Sequence, residues 1–263
     1  MSEKPQTRRR RRTEARARVL ADPRDIVPES MWRPNPRRLL RQAMLLLRKD
    51  IITEWRTRET LLTLLFFAFL LVVIFTFSLW VDDKVAIAVS PGIIWIALAF
   101  TGTLSIDRSF AQEQEGDTLT ALVLVPGAPQ AIFVAKTLTN VVYMLLVEAL
   151  VAPLVIFILS VPMPLDAIPC LAASLVVGTV GFAAVGTVFS AMLVSVRRRG
   201  VLLPIVLYPV TIPLLIMGVE ATSVLVQDFP IIQAWSWVKV MAAVDVLYLL
   251  GGVWLFGHIT EDE

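Results

Sequence analysis

Cysteine and histidine are almost missing from this 263-residue chain: Cys170 and His258 are the only ones. A lone cysteine leaves no intrachain disulfide to staple the fold. One cysteine and one histidine also fall short of the ligand sets of structural and catalytic zinc sites, so no metal centre is expected. A Gly-rich phosphate loop with its lysine is absent, as are a Ser/His/Asp set and paired acids on a soluble fold. The chain therefore reads as a non-catalytic subunit whose energy comes from a partner. Charge is scarce too, at 17% against 57% hydrophobic residues, with a mean hydropathy of +0.74. Such a balance excludes an ordinary soluble domain and points to an all-α integral membrane protein.

What is present is long apolar sequence punctuated by a few charged islands. About 20 apolar residues at 1.5 Å rise span a hydrocarbon core of roughly 30 Å. Six stretches meet that length, at 61–81, 85–106, 131–159, 167–196, 201–219 and about 238–257, and together they form the transmembrane domain, 61–257. The fourth is rich in small residues (Ser174, Gly178, Ala183, Gly186, Ser190), which lets helices approach closely. The fifth holds Pro204, Pro209 and Pro213. It is expected to be an interrupted helix that does not face lipid all round, because freed backbone groups need protein or water. Glu220 to Pro230 then reads as a longer excursion, and Trp235 and Trp237 as an interfacial belt.

Residues 1–34 are polar and basic, with an unbroken Arg8 to Arg12 run, and are expected to be disordered. The run reads first as a topogenic, positive-inside tail, the other reading being contact with anionic lipid or nucleic acid, of which nucleic acid is not expected as a partner. No secretory-type apolar stretch precedes Leu61. Between 35 and 60, Asn35-Pro36 signals a helix start. Leu40, Met44, Leu47, Ile51 and Trp55 recur at helical spacing among arginines, which describes an amphipathic helix lying in the membrane interface. Residues 258–263 form a short acidic tail, and His258 reads as an interfacial histidine rather than a haem ligand. Six crossings put both termini on one side, together with Arg197 to Arg199, whereas Asp82, Asp83, Asp166, Glu220 and Asp228 fall opposite. The positive-inside rule makes the first side cytoplasmic and the protein a multi-pass component of the inner or plasma membrane.

The island at 106–130 then emerges into the cytoplasm. Ser109 to Glu115 is expected to be a short helix capped by Ser109, ended by Gly116-Asp117 and followed by an apolar patch and Pro126-Gly127-Ala128-Pro129. Such a knob is suited to docking. Two carboxylates, Glu148 and Asp245, lie deep in crossings, where charge is costly. They are expected to face the bundle interior, as part of a substrate or proton path or as polar ties between helices. Lys136, Asn140, Met144 and Glu148 share a helix face, with Lys136 too far from Glu148 to pair with it.

Ser90-Pro91-Gly92-Ile93-Ile94-Trp95, then Asp107-Arg108-Ser109-Phe110, Gly116-Asp117-Thr118-Leu119 and Leu124-Val125-Pro126, resemble the CcmB family of cytochrome c maturation. Arg199 to Pro204 and Pro209 to Ile216 continue the likeness, in order and spacing, over roughly 36–257. The resemblance implies a type-2 ABC exporter permease-like bundle working with a separate ABC ATPase subunit, a haem-handling membrane protein and a haem chaperone, as a homodimer or paired with a related permease. It implies no tightly bound cofactor: haem is substrate or is held by a partner, and ATP acts only through the ATPase. The cytoplasmic knob would be the coupling loop, with Arg108, Glu113, Glu115 and Asp117 as its polar contacts. A permease for lipid, drug or polysaccharide, and a non-transporting scaffold of a haem-handling complex, are the alternative readings.

Overall fold

In the computed structural model, residues 36–78, 83–115, 128–193, 196, 199–227 and 229–259 are described. The Arg-rich tail, Asp117, the rest of 116–127 and the last four acidic-tail positions lie outside them. The described residues form seven α-helices: α1 (Pro36–Thr57), α2 (Glu59–Ser78), α3 (Asp83–Glu115), α4 (Ala128–Ile158), α5 (Ile168–Met192), α6 (Arg199–Val226) and α7 (Ile231–Ile259), with a 3-10 turn at Leu165–Ala167 before α5. Helices α2 to α7 are each long and apolar enough to cross a membrane. The chain is thus an all-α integral membrane protein.

Helix α5 is the hub, packed against α3, α4, α6 and α7. Its small residues make this arrangement feasible. Gly178 receives the Trp95 ring from α3, Gly186 receives Ile106, and Gly181 lies against the Asp245 carboxylate of α7. A Cβ at any of these positions would meet those side chains, so the close approach requires glycine. Trp95 is wedged on its other side against Gly218 of α6. Its Nε1–H donates to Thr222 Oγ1 at 3.0 Å, which satisfies the indole's one donor in an apolar surrounding.

Three expectations need correction. Ser109 to Glu115 is not a separate helix capped by Ser109, because α3 runs unbroken from Asp83 to Glu115. The only proline within it, Pro91, lies near its start, and nothing between the crossing and the charged segment breaks the 3.6-residue repeat. Helix α6 is likewise continuous through Pro204, Pro209 and Pro213. A proline keeps helical φ, and in an apolar setting no water-bonded alternative competes for the chain. Instead Tyr248 of α7 donates its hydroxyl to the Val210 carbonyl at 2.8 Å, beside Pro209. As expected, α6 does not face lipid all round: Leu203, Leu207, Thr211 and Leu214 are buried on one face, while Val201, Ile205, Ile212 and Ile216 are exposed on the other. The excursion expected from Glu220 to Pro230 is shorter, since Glu220 belongs to α6, which reaches Val226, and α7 starts at Ile231.

Helix α1 lies along α4, with Ala43 packed on Ala131 and Ala135 and with Leu39 and Leu46 alongside. The Leu40, Met44, Ile51 and Trp55 stripe points away from the bundle, Trp55 being 73% exposed. Arg58, at φ 55°, turns the chain from α1 into α2.

Candidate functional site

The root of the charged island, where α1, the end of α3 and the start of α4 meet, carries the densest polar network. Lys136 of α4 is 5% exposed and its Nζ donates to Asp50 Oδ2 of α1 at 2.9 Å. The same ammonium donates to the Ser109 carbonyl of α3 at 3.3 Å. Asp50 Oδ2 also accepts from Thr139 Oγ1 at 3.4 Å, Asp50 Oδ1 faces Lys49 Nζ at 3.3 Å, and the Asp50 carbonyl accepts from Tyr143 Oη at 3.4 Å. A buried ion pair holds only when its remaining donors and acceptors are also met, and here three helices share that task.

Two further contacts key α2 into the same end. Glu54 Oε1 accepts from the Leu61 backbone N–H at 2.7 Å, satisfying one of the amides that the first turn of α2 leaves free. Arg108 of α3 approaches Glu59 of α2 at 3.9 Å, an exposed and weak pair. Asp107 lies beside Gly200, at the N-terminus of α6, where a carboxylate complements the helix dipole. The end of α3 is therefore tied to α1, α2, α4 and α6 at once. Of the residues expected in the coupling loop, Arg108 is seated in this network, Glu113 and Glu115 ride on the last turn of α3, and Asp117 lies outside the described residues.

Sequence reasoning missed Asp50, Glu54, Glu59 and Asp107. For α1 the signal was readable: Leu39, Ala43, Leu46, Asp50 and Glu54 recur at steps of three and four beside the apolar stripe. Two acids on a helix otherwise studded with arginine mark the face that meets protein.

The intramembrane carboxylates do not come together. Glu148 is 4% exposed and Asp245 5%. Glu148 Oε1 accepts from Thr179 Oγ1 at 2.6 Å, whereas Asp245 lies against Gly181. Residues 179 and 181 stand about 200° apart around a helix, so α5 separates the two acids. Among the described residues neither acid enters an ion pair. No cluster of three metal-ligating side chains occurs there either.

Comparison with known proteins agrees with this architecture. The chain is 30% identical to the heme exporter protein B of Pseudomonas aeruginosa over 201 residues, 76% of this chain and 89% of that protein. It is 31% identical to the heme exporter protein B of Rhodobacter capsulatus over 59% of this chain and 70% of the relative. For the protein of that name from Paracoccus denitrificans the identity is 35%, over 51% and 60%. The match to the family described as CcmB protein takes in residues 41–257, which includes most of α1, all of α2 to α6, and α7 to within two residues of its end; this chain belongs to the CcmB family.

Proposed function

We propose that this chain is the membrane permease subunit of an ABC-type haem exporter of cytochrome c-type biogenesis, driven by a separate ATPase subunit. The observation that carries the reading is family membership over 41–257, with relatives named heme exporter protein B. The six-helix bundle, which holds no phosphate-binding loop of its own, agrees with it. Haem is cargo or partner-borne in this reading, and hydrolysis is used either to move it or to release a haem-loaded chaperone.

In this reading the charged end of the bundle faces the cytoplasm, and the loop after α3 seats on the ATPase. Glu113, Glu115 and Asp117 present negative charge to the nucleotide-binding subunit, and Arg108 is held back by Glu59. A push on that loop acts on the end of a helix 33 residues long, about 50 Å at 1.5 Å per residue. Because Lys136 bonds both Asp50 and the Ser109 carbonyl, α1 and α4 move with it.

The test is co-purification of the tagged full chain with its ATPase from the membrane, followed by Glu113→Lys with Glu115→Lys. The expected result is loss of the complex, or of its ATP turnover, together with loss of holo-cytochrome c. An intact complex with normal turnover in the doubly reversed variant overturns the coupling role. Normal holo-cytochrome c in a deletion strain overturns the haem assignment.

A further inference from the structure

Seven buried side-chain atoms among the described residues have no hydrogen-bonding partner. Setting Asp245 Oδ1 aside leaves six, and all six lie on α3, α4 and α5: Ser109 Oγ, Thr137 Oγ1, Asn140 Nδ2, Glu148 Oε2, Thr187 Oγ1 and Ser190 Oγ. Their register is fixed by bonds that do form. Ser105 Oγ donates to Asn140 Oδ1 at 3.0 Å, Lys136 reaches the Ser109 carbonyl, and Thr179 donates to Glu148. Helices α4 and α5 run in opposite directions, so stepping eight residues from the Glu148–Thr179 bond sets Asn140 level with Thr187. Stepping eleven sets Thr137 level with Ser190.

The orphaned atoms thus fall into tiers. Ser109, Thr137 and Ser190 form the tier nearest the charged end, and Asn140 and Thr187, with Ser105, form the next, about 4.5 Å deeper at 1.5 Å per residue. Glu148 lies about 12 Å beyond Asn140 on the same rise. Between them is one apolar step: a Cβ on Gly102 would stand 2.6 Å from Met144 Cε and 2.8 Å from Phe182 Cε1. Buried polar atoms without protein partners are rare, and water is their usual partner in polar interiors. Concentration of six on three mutually packed helices, at matching heights and leading to a carboxylate, is the pattern of a hydrated seam between them rather than of scattered defects.

We propose that this seam is a proton inlet, filled with water from the charged end of the bundle and ending at Glu148, with Met144 and Phe182 closing over Gly102 as its apolar gate. Its ligand is the proton: hydronium gives one to the Glu148 carboxylate, leaving water and a carboxylic acid whose free oxygen faces the seam. Thr179 holds the other oxygen. The charged and titratable groups on the helices around α4 are engaged by other partners, Lys136 alone lying at the outermost tier, where it also bonds the Ser109 carbonyl. Lys136 is bound to Asp50, Glu54 to Leu61, and Arg108 to Glu59. Tyr143 points to the Asp50 carbonyl, and Asp107 faces the start of α6. On α7, Tyr248 donates to Val210, Asp245 is behind α5, and Lys239 is exposed. The arginines of α1 form no ion pair with Glu148.

The test is infrared difference spectroscopy on the full chain in lipid nanodiscs. The protonated-carboxyl band of Glu148 is assigned as the one lost in Glu148→Gln, and its downshift is timed after a switch from H2O to D2O buffer. The band of Asp245, assigned with Asp245→Asn, is the reference. The expected result is exchange of the Glu148 band slowed at least tenfold in Asn140→Leu with Thr187→Val, the Asp245 band unchanged, and exchange accelerated in Met144→Ala. If the double variant does not fold, Ser190→Ala with Thr137→Val provides the same slowing. Absence of a Glu148 acid band, unchanged exchange, or equal slowing of both acids overturns the inlet.

Discussion

The Asp50–Lys136 pair offers a sharp energetic test, because Lys136 is buried and the Asp50 side chain nearly so, at 6% and 9% side-chain exposure. Breaking a buried pair by removing one partner costs about 3–5 kcal/mol, while replacing both with apolar groups of similar volume is often close to neutral. Lys136→Met should fall at the lower end, about 3 kcal/mol on that scale, since Lys49 and Thr139 still face the Asp50 carboxylate. Asp50→Leu should cost more, about 4–5 kcal/mol by the same principle, because it strands an ammonium beneath α1. The double variant should lie within about 1 kcal/mol of wild type, giving a coupling energy of about 6 kcal/mol or more. Reversible unfolding of the full chain in mixed micelles by SDS titration, followed by circular dichroism, measures each value. Single variants costing less than about 1 kcal/mol, or a double variant equal to their sum, would show that the pair does not act as a unit.

Two other sites give independent checks. Glu54→Ala leaves the Leu61 N–H unmet at the start of α2 and should lower stability by about 0.5–2 kcal/mol, as for loss of an N-terminal cap, with Glu54→Gln recovering part of it in the same titration. Gly178→Ala and Gly218→Ala each drive a methyl into the Trp95 ring, an overpacking expected to cost about 1–3 kcal/mol. Trp95→Leu in the same chain should relieve either one, and failure of that rescue would place the cost elsewhere than at the ring.

Much of the architecture is readable from composition and period alone, and the differences lie where helices run on past expected breaks. Six apolar runs became six helices because a lipid-facing backbone has to satisfy its own hydrogen bonds. That same constraint kept α6 continuous through three prolines, where turn-forming residues in water would have broken the chain. At α3 the cause is local: no breaker lies between Ile106 and Glu115, so the helix of the crossing carries on through the charged segment. Small residues on α5 announced a hub, and Gly178, Gly181 and Gly186 do receive a neighbour's side chain, but which neighbour was invisible. Trp95 and Asp245 lie 83 and 64 residues from the glycines they meet, and a single sequence gives no measure of such pairings.

Asp50 shows why the polar half of a site is harder to read than the apolar half. Its identity is plain, and the period around it describes an amphipathic helix, as α1 is. The strongest periodic signal on that helix, however, was the stripe from Leu40 to Trp55, which the fold leaves exposed. A helix at a membrane edge has two buried faces to declare, one toward lipid and one toward protein, and hydrophobicity marks the first more loudly. The second is marked by whatever is costly to leave beside lipid: Asp50 and Glu54, acids among arginines, which are tolerable there only with partners waiting on α4 and α2. The same reasoning reaches Glu148. An acid that persists in an apolar span has to be met by a donor, a proton or water, and Thr179 supplies one bond where the carboxylate has two oxygens to satisfy.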